Sequence, residues 1–76
     1  MYEILMPKLG MDMTEGKINR WLVSEGSPVT KGDPIVEIET DKTVMELEAG
    51  ESGVLKQILV GPDSVVPPGE VLGIIE

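Results

Sequence analysis

The chain has 76 residues and contains neither cysteine nor histidine. The first absence removes disulfides, thiolate nucleophiles and cysteine-based zinc or iron–sulfur sites. The second removes the commonest general base and metal ligand at neutral pH. Ordinary active-site chemistry is thereby largely excluded. Basic residues are scarce as well: six Lys and Arg stand against 14 Asp and Glu, for a formal net charge of −8. Binding a phosphate backbone depends on Lys and Arg neutralising it, so nucleic acid is not an expected partner. An anionic membrane surface would repel the chain, whereas a basic partner would be steered toward it. No run approaches the roughly 20 apolar residues of a membrane span. Met1-Tyr2-Glu3-Ile4-Leu5 lacks the basic start and long apolar segment of a signal peptide. The expectation is one soluble domain over residues 1–76, unexported as it stands, with an already removed mitochondrial presequence left open. A core of this size buries only about 60% of the unfolded surface, which makes the domain marginally stable.

What the chain does have is a symmetric alternation around Lys42. Upstream, Val36, Ile38 and Thr40 fall on one face and Glu37, Glu39 and Asp41 on the other. Downstream, Met45, Leu47 and Ala49 alternate with Val44, Glu46 and Glu48. Period-two alternation marks half-buried strands. Two such strands pair with apolar residues opposite apolar ones only across an even-numbered loop, because a one-residue slip turns a core face to water. A two-residue loop satisfies this as Asp41-Lys42, with Thr40 opposite Thr43, or as Lys42-Thr43, with Asp41 opposite Val44. Periodicity does not separate the two. Neither dipeptide supplies the Asn-Gly or Gly that a tight hairpin favours, so the tip is locally unfavoured and invites a functional explanation.

The chain is also internally repeated. Residues 16–39 laid over 53–76, a constant shift of 37, make eight pairs identical, among them Gly16/Gly53, Ser27/Ser64, Gly32/Gly69 and Ile38/Ile75. Each half is expected to form the same unit of strand, turn, short strand, glycine turn and strand. Two such units predict a two-sheet antiparallel sandwich or flattened barrel with a pseudo-twofold axis. The Lys42 hairpin then lies where the first copy passes into the second. Its symmetry mate is the pair of chain ends, so tip and termini should lie at opposite ends. Tyr2–Met6 aligned with Val44–Glu48 leaves loop 8–15 several residues longer than its counterpart 50–52, and added loops are where recognition tends to sit. Met11 and Met13 in that loop are either flexible apolar contacts or folded inward. A bulge is expected somewhere in 17–23, where the alternation is not clean. Core packing is expected for Trp21. Gly10 to Gly16-Lys17 has a superficial likeness to a phosphate loop, but the spacing is one residue too long and Ile18 replaces the Ser or Thr that would hold magnesium.

Glu39-Thr40-Asp41-Lys42-Thr43 at a hairpin tip resembles the lipoyl-attachment motif of the lipoyl domains of 2-oxo acid dehydrogenase complexes. Met6-Pro7-Lys8-Leu9-Gly10, Glu15-Gly16-Lys17-Ile18, Trp21-Leu22, Glu25-Gly26, Gly32-Asp33 and Val71-Leu72 extend the resemblance over the whole chain. It implies an all-β fold of two four-stranded antiparallel sheets with quasi-twofold symmetry, a barrel-sandwich hybrid. It also implies lipoic acid joined by an amide bond to Lys42, with Asp41 and Thr43 flanking it. Partner recognition would involve Glu39 and the loop residues Leu9, Gly10, Met11, Asp12, Met13, Thr14 and Glu15. The implied role is a non-catalytic carrier whose arm moves acyl groups and reducing equivalents between active sites. Its partners would be a lipoate-attaching enzyme, a thiamin-dependent 2-oxo acid dehydrogenase, an acyltransferase core and dihydrolipoamide dehydrogenase, with neither nucleic acid nor membrane involved. The isolated domain is expected to be a monomer from a bacterial cytoplasm, or alternatively a mitochondrial matrix. The chain looks like the N-terminal piece of a dihydrolipoamide acyltransferase. Ser27 and Thr43 depart from the Asp and Ala frequent in that family. A biotin carrier is the alternative, but its lysine lies between two methionines, whereas Asp41 and Thr43 flank Lys42. An unmodified interaction domain is the third reading.

Overall fold

In a computed structural model, which describes residues 1–8, 11 and 13–76, the chain forms strands joined by turns. The strands among the described residues are β1 (Tyr2–Leu5), β2 (Gly16–Trp21), β3 (Pro28–Val29), β4 (Pro34–Glu39), β5 (Val44–Glu48), β6 (Gly53–Ile58), β7 (Val65–Val66) and β8 (Val71–Ile75). They make two four-stranded antiparallel sheets, ordered β1-β8-β6-β3 and β5-β4-β2-β7. This is the all-β, two-sheet architecture that the alternation and the repeat predict. No helix of the described residues is long and apolar enough to cross a membrane.

The repeat reappears bond by bond. Gly26 N–H donates to the Leu55 carbonyl at 2.7 Å, and at a shift of 37 Asp63 N–H donates to Ile18, also at 2.7 Å. Leu22 N–H to Ile35 O is matched by Leu59 N–H to Leu72 O. The irregularities are shared too. The β2/β4 register slips between Ile18 and Arg20, and the β6/β8 register between Leu55 and Gln57. Asn19 and Lys56, one in each half, are therefore the extra residues of two equivalent bulges, and the first falls inside the stretch where alternation fails. A second pair of slips, across Ile35 and Leu72, lets two consecutive residues turn inward: Ile35 with Val36, and Leu72 with Gly73.

One alignment within the repeat is corrected. Met6 N–H bonds the Glu70 carbonyl and Gly69 N–H bonds Met6, as Ala49 does with Asp33 and Gly32. The first strand thus corresponds to the fifth at a shift of 43, not 42, pairing Met6 with Ala49. β1 and β5 share too few identities to fix the shift, and only the hydrogen bonds do so. Residues 7–15 are the counterpart of residues 50–52, six residues longer.

Side chains from both sheets meet in an interior built mostly of aliphatics: Ile4, Met6, Ile18, Ile35, Val36, Ile38, Leu55, Leu72 and Ile75 are buried, and among the described residues no polar or charged side chain is. At about 25 cal/mol per Å² of apolar surface, this interior is the main source of stability. Trp21 packs at its edge and donates its indole N–H to the Val60 carbonyl at 2.7 Å. β5 leaves the hairpin tip at Val44 and passes through residues 49–52 to β6, where Val54 and Glu76 exchange both backbone bonds. Tip and chain ends accordingly lie at opposite ends of a body 32 Å long.

Candidate functional site

The hairpin between β4 and β5 is in register with Ile38 opposite Met45 and Glu39 opposite Val44. Beyond that pair, Thr40 N–H donates to the Thr43 carbonyl at 2.8 Å. The loop is therefore Asp41-Lys42, which decides between the two loops that periodicity allows. Tight two-residue hairpins match the right-handed strand twist when their loop residues adopt positive φ. Among the described residues only Asp63 and glycines do so, which leaves Asp41 and Lys42 in a turn whose twist opposes the strands.

A side chain offsets that mismatch. The Thr40 hydroxyl accepts the N–H of Thr43 at 3.2 Å and of Lys42 at 3.3 Å, and donates to the Thr43 carbonyl at 3.3 Å. Each contact is long and weak by itself, but together they use the hydroxyl's one proton and both lone pairs. Sequence reasoning gave Thr40 no role. The available signal was a polar residue on the apolar face of the alternation, following Val36 and Ile38. Thr43, expected as a flanking residue, takes part through its backbone; its hydroxyl reaches only the neighbouring Val44 carbonyl, at 3.5 Å.

Asp41, Lys42 and Thr43 are all exposed. Lys42's ammonium joins none of the ion pairs among the described residues, which are Lys17–Asp63, Arg20–Glu37 and Lys56–Glu76. It is an exposed primary amine with no ion-pair partner among the described residues, and that arrangement suits covalent attachment. Glu39 behaves differently from Asp41. The bulge residue Asn19 donates its side-chain amide to Glu39 Oε1 and to Glu37 Oε2, both at 3.1 Å, and Arg20 Nε lies 3.4 Å from the other Glu37 oxygen. Two carboxylates of the acidic outer face are thus fixed by neighbours on β2.

Residues 13–15, the last part of the long loop, lie at the same end of the molecule. Met13, Thr14 and Glu15 form one bank of an open groove of about 500 Å³, and Glu39, Thr40 and Asp41 form the other. The structure therefore brings together four of the residues expected in recognition: Met13, Thr14, Glu15 and Glu39. Leu9, Gly10 and Asp12 lie outside the described residues. Of the two methionines, Met11 is 94% exposed, whereas Met13 folds inward. A Cβ added at Gly16 would lie 3.0 Å from both Met13 Cε and the sulfur of buried Met6. Glycine at that point lets the two thioether chains meet over the backbone and seat the end of the loop. Among the described residues, no group of three or more carboxylates could hold a metal ion.

An exposed lysine outside the described ion pairs, at the apex of a hairpin on a two-sheet β-sandwich, is the arrangement that a covalent carrier would need. The profile of the biotin/lipoyl family, described as that of a biotin-requiring enzyme, matches residues 2–75. The chain belongs to this family and is a lipoyl domain of the kind found in acyltransferase components of 2-oxo acid dehydrogenase complexes. A solved lipoyl domain of the 2-oxoglutarate dehydrogenase complex from Azotobacter vinelandii superposes with a TM-score of 0.82 at 33% identity, covering 100% of this chain and 96% of that one. The dihydrolipoyllysine-residue acetyltransferase component of the acetoin cleaving system of Pseudomonas putida is 40% identical over 74 residues, which are 97% of this chain and 20% of that protein. The corresponding component of the pyruvate dehydrogenase complex of Rickettsia conorii is 45% identical over 74 residues, 96% of this chain and 18% of its own length. The chain thus spans about a fifth of the curated relatives it matches.

Proposed function

We propose that Lys42 carries lipoic acid in amide linkage, and that residues 1–76 act as one non-catalytic carrier. In this reading the arm moves acyl groups and reducing equivalents between active sites of a 2-oxo acid dehydrogenase complex. The observation that carries it is the unpaired, exposed amine at the apex of the Asp41-Lys42 turn, on a scaffold shared with a lipoyl domain. When bound, the group supplies a dithiolane able to take up electrons and an acyl group. Everything else is the work of the chain. The Lys42 nitrogen, once deprotonated, attacks an activated carboxyl; the C–N amide bond forms and the activating group leaves. Loss of one cation takes the formal net charge from −8 to −9. The strands hold the amine at a fixed place, so one lysine is modified while Lys8, Lys17, Lys31 and Lys56 are not.

The partners implied are the lipoate-attaching enzyme, a thiamin-dependent 2-oxo acid dehydrogenase, an acyltransferase core and dihydrolipoamide dehydrogenase, in a bacterial cytoplasm or a mitochondrial matrix. Glu39, held by Asn19, and the bank Met13-Thr14-Glu15 belong to the surface these enzymes would read, and Leu9, Gly10, Met11 and Asp12 are assigned to it from the sequence. Biotin is disfavoured by the flanking Asp41 and Thr43 and by Met45, which packs against the interior. Intact-mass measurement after coexpression with a lipoate ligase and lipoate tests the proposal. One lipoyl increment is expected, abolished in Lys42→Gln while the variant's melting temperature stays within a few degrees of the parent, since exposed substitutions usually fall within about ±0.5 kcal/mol. No increment, an increment that survives in Lys42→Gln, or a biotin increment instead would overturn it.

A further inference from the structure

We infer that the hydroxyl of Thr40 is the positioning group of the attachment site, the element that makes Lys42 legible to the enzyme that modifies it. The inference rests on the lipoyl reading of Lys42 and goes beyond it, because it assigns presentation of the amine to a residue that does not itself react. Asp41-Lys42 lacks the positive φ values that would let a two-residue loop follow the strand twist. The backbone secures the turn by one bond of its own at this level, Thr40 N–H to Thr43 O at 2.8 Å. That bond closes the turn but leaves the Lys42 peptide unattached. Thr40 Oγ1 is the atom that reaches it, at 3.3 Å, while accepting Thr43 N–H at 3.2 Å and donating to the Thr43 carbonyl at 3.3 Å. Lys42's side chain is outside every described ion pair, so the orientation of its Cα–Cβ bond depends on its backbone. Thr40 itself is half-buried immediately beyond the end of β4, and its hydroxyl faces the turn through these three contacts. Among the described residues, Asp41 and Thr43, the immediate neighbours, have no side-chain hydrogen bond that could do the same work; Thr43 Oγ1 reaches Val44 O.

Serine carries the same hydroxyl on the same Cβ and valine has the same shape without it, so the chemistry separates from the packing. The wild-type domain, Thr40→Val, Thr40→Ser and, as a smaller variant without a hydroxyl, Thr40→Ala are treated with a lipoate ligase and lipoate. Initial rates are read by intact mass, with thermal melts alongside and the {¹H}–¹⁵N nuclear Overhauser effect of the Lys42 amide. Expected is a fall of about tenfold in kcat/KM for Thr40→Val and Thr40→Ala, the scale of one net hydrogen bond. Their cores should stay intact, the Lys42 amide should gain mobility, and Thr40→Ser should restore both readouts. Wild-type labelling with Thr40→Val and Thr40→Ala labelled equally fast overturns the assignment of Thr40 alone. So does a loss that Thr40→Ser shares in full, because the methyl group and not the hydroxyl would then be what matters. A wild-type domain that takes no lipoate overturns the carrier reading and this inference with it.

Discussion

Gly73 and Trp21 offer a substitution whose sign, and not only its size, is at stake. Gly73 lies in β8, buried, with no unusual φ. By backbone considerations alone, alanine there should stabilise by about 0.4–1 kcal/mol, since it restricts the unfolded chain. The structure argues the reverse. A Cβ at Gly73 would stand 2.8 Å from the Gln57 carbonyl oxygen and 3.0 Å from Cη2 of Trp21. The first is a backbone atom of the adjoining strand, and the second belongs to a ring whose N–H is tied to Val60 O at 2.7 Å. Neither can retreat freely. Overpacking of this kind costs about 1–3 kcal/mol, so the net expectation for Gly73→Ala is a loss of about 1–2 kcal/mol. For a domain this size, where 1 kcal/mol moves the melting temperature by about 4–8 °C, that is a drop of roughly 5–15 °C. Thermal unfolding followed by far-UV circular dichroism, with fluorescence of the single Trp as a second probe, measures it. In a Trp21→Leu background the ring's share of the clash disappears, and the penalty for Gly73→Ala should shrink, a coupling that a double-mutant cycle reports. A melting temperature unchanged or raised by Gly73→Ala would refute the reasoning.

Two further predictions follow from the repeat and the charges. Gly26 has φ 89° with nothing within 4 Å of an added Cβ, and its mate Asp63 holds φ 67° without being glycine. Gly26→Ala should therefore cost about 1 kcal/mol from backbone strain alone, and Gly26→Asp less, because Asp tolerates the left-handed region better; chemical denaturation of the two variants orders them. Glu76 accepts a hydrogen bond from Lys56, and the same ammonium's charge adds to it, which holds the Glu76 carboxyl below the usual glutamate value. A folded-state value below the unfolded one means the contribution is present above the ordinary glutamate range and fades as pH falls through the lowered value. Glu76→Gln should thus bring wild type and variant together in melting temperature at acid pH and leave them apart at neutral pH, and parallel curves across the range would count against it.

Much of the architecture was legible because two kinds of periodicity are written directly in the residues. Alternation about Lys42 gave the hairpin, and the shift of 37 gave two equivalent halves. What stayed hidden was whatever neither period encodes. The loop Asp41-Lys42 was indistinguishable from Lys42-Thr43, since they differ by one full strand period, until the Thr40–Thr43 backbone bond decided it. The shift of 43 between β1 and β5 was obscured by the scarcity of matching side chains. Thr40 is hidden because it continues the apolar phase of the alternation, where a hydroxyl looks like a mild defect and not a clamp. The contact of Trp21 with Gly73 breaks the repeat: their mates are Ile58 and Val36, so bulk given up at one point of the interior is supplied from another, a complementarity across strands that no local pattern contains. Asn19 holding Glu37 and Glu39 likewise depends on a bulge whose neighbourhood, but not whose residue, could be read from the sequence.

The pairing of the first strand with the last has a mechanical consequence. Tyr2 stands opposite Ile75 and the two strands run antiparallel, so their outer ends emerge side by side, about 5 Å apart as neighbouring strands are. Tension applied through both ends would load the β1–β8 ladder one rung at a time, like a zipper drawn from its open side, instead of loading all rungs in parallel. Under stretch this body should yield early and from the termini inward, with the Lys42 hairpin among the last parts to lose its shape.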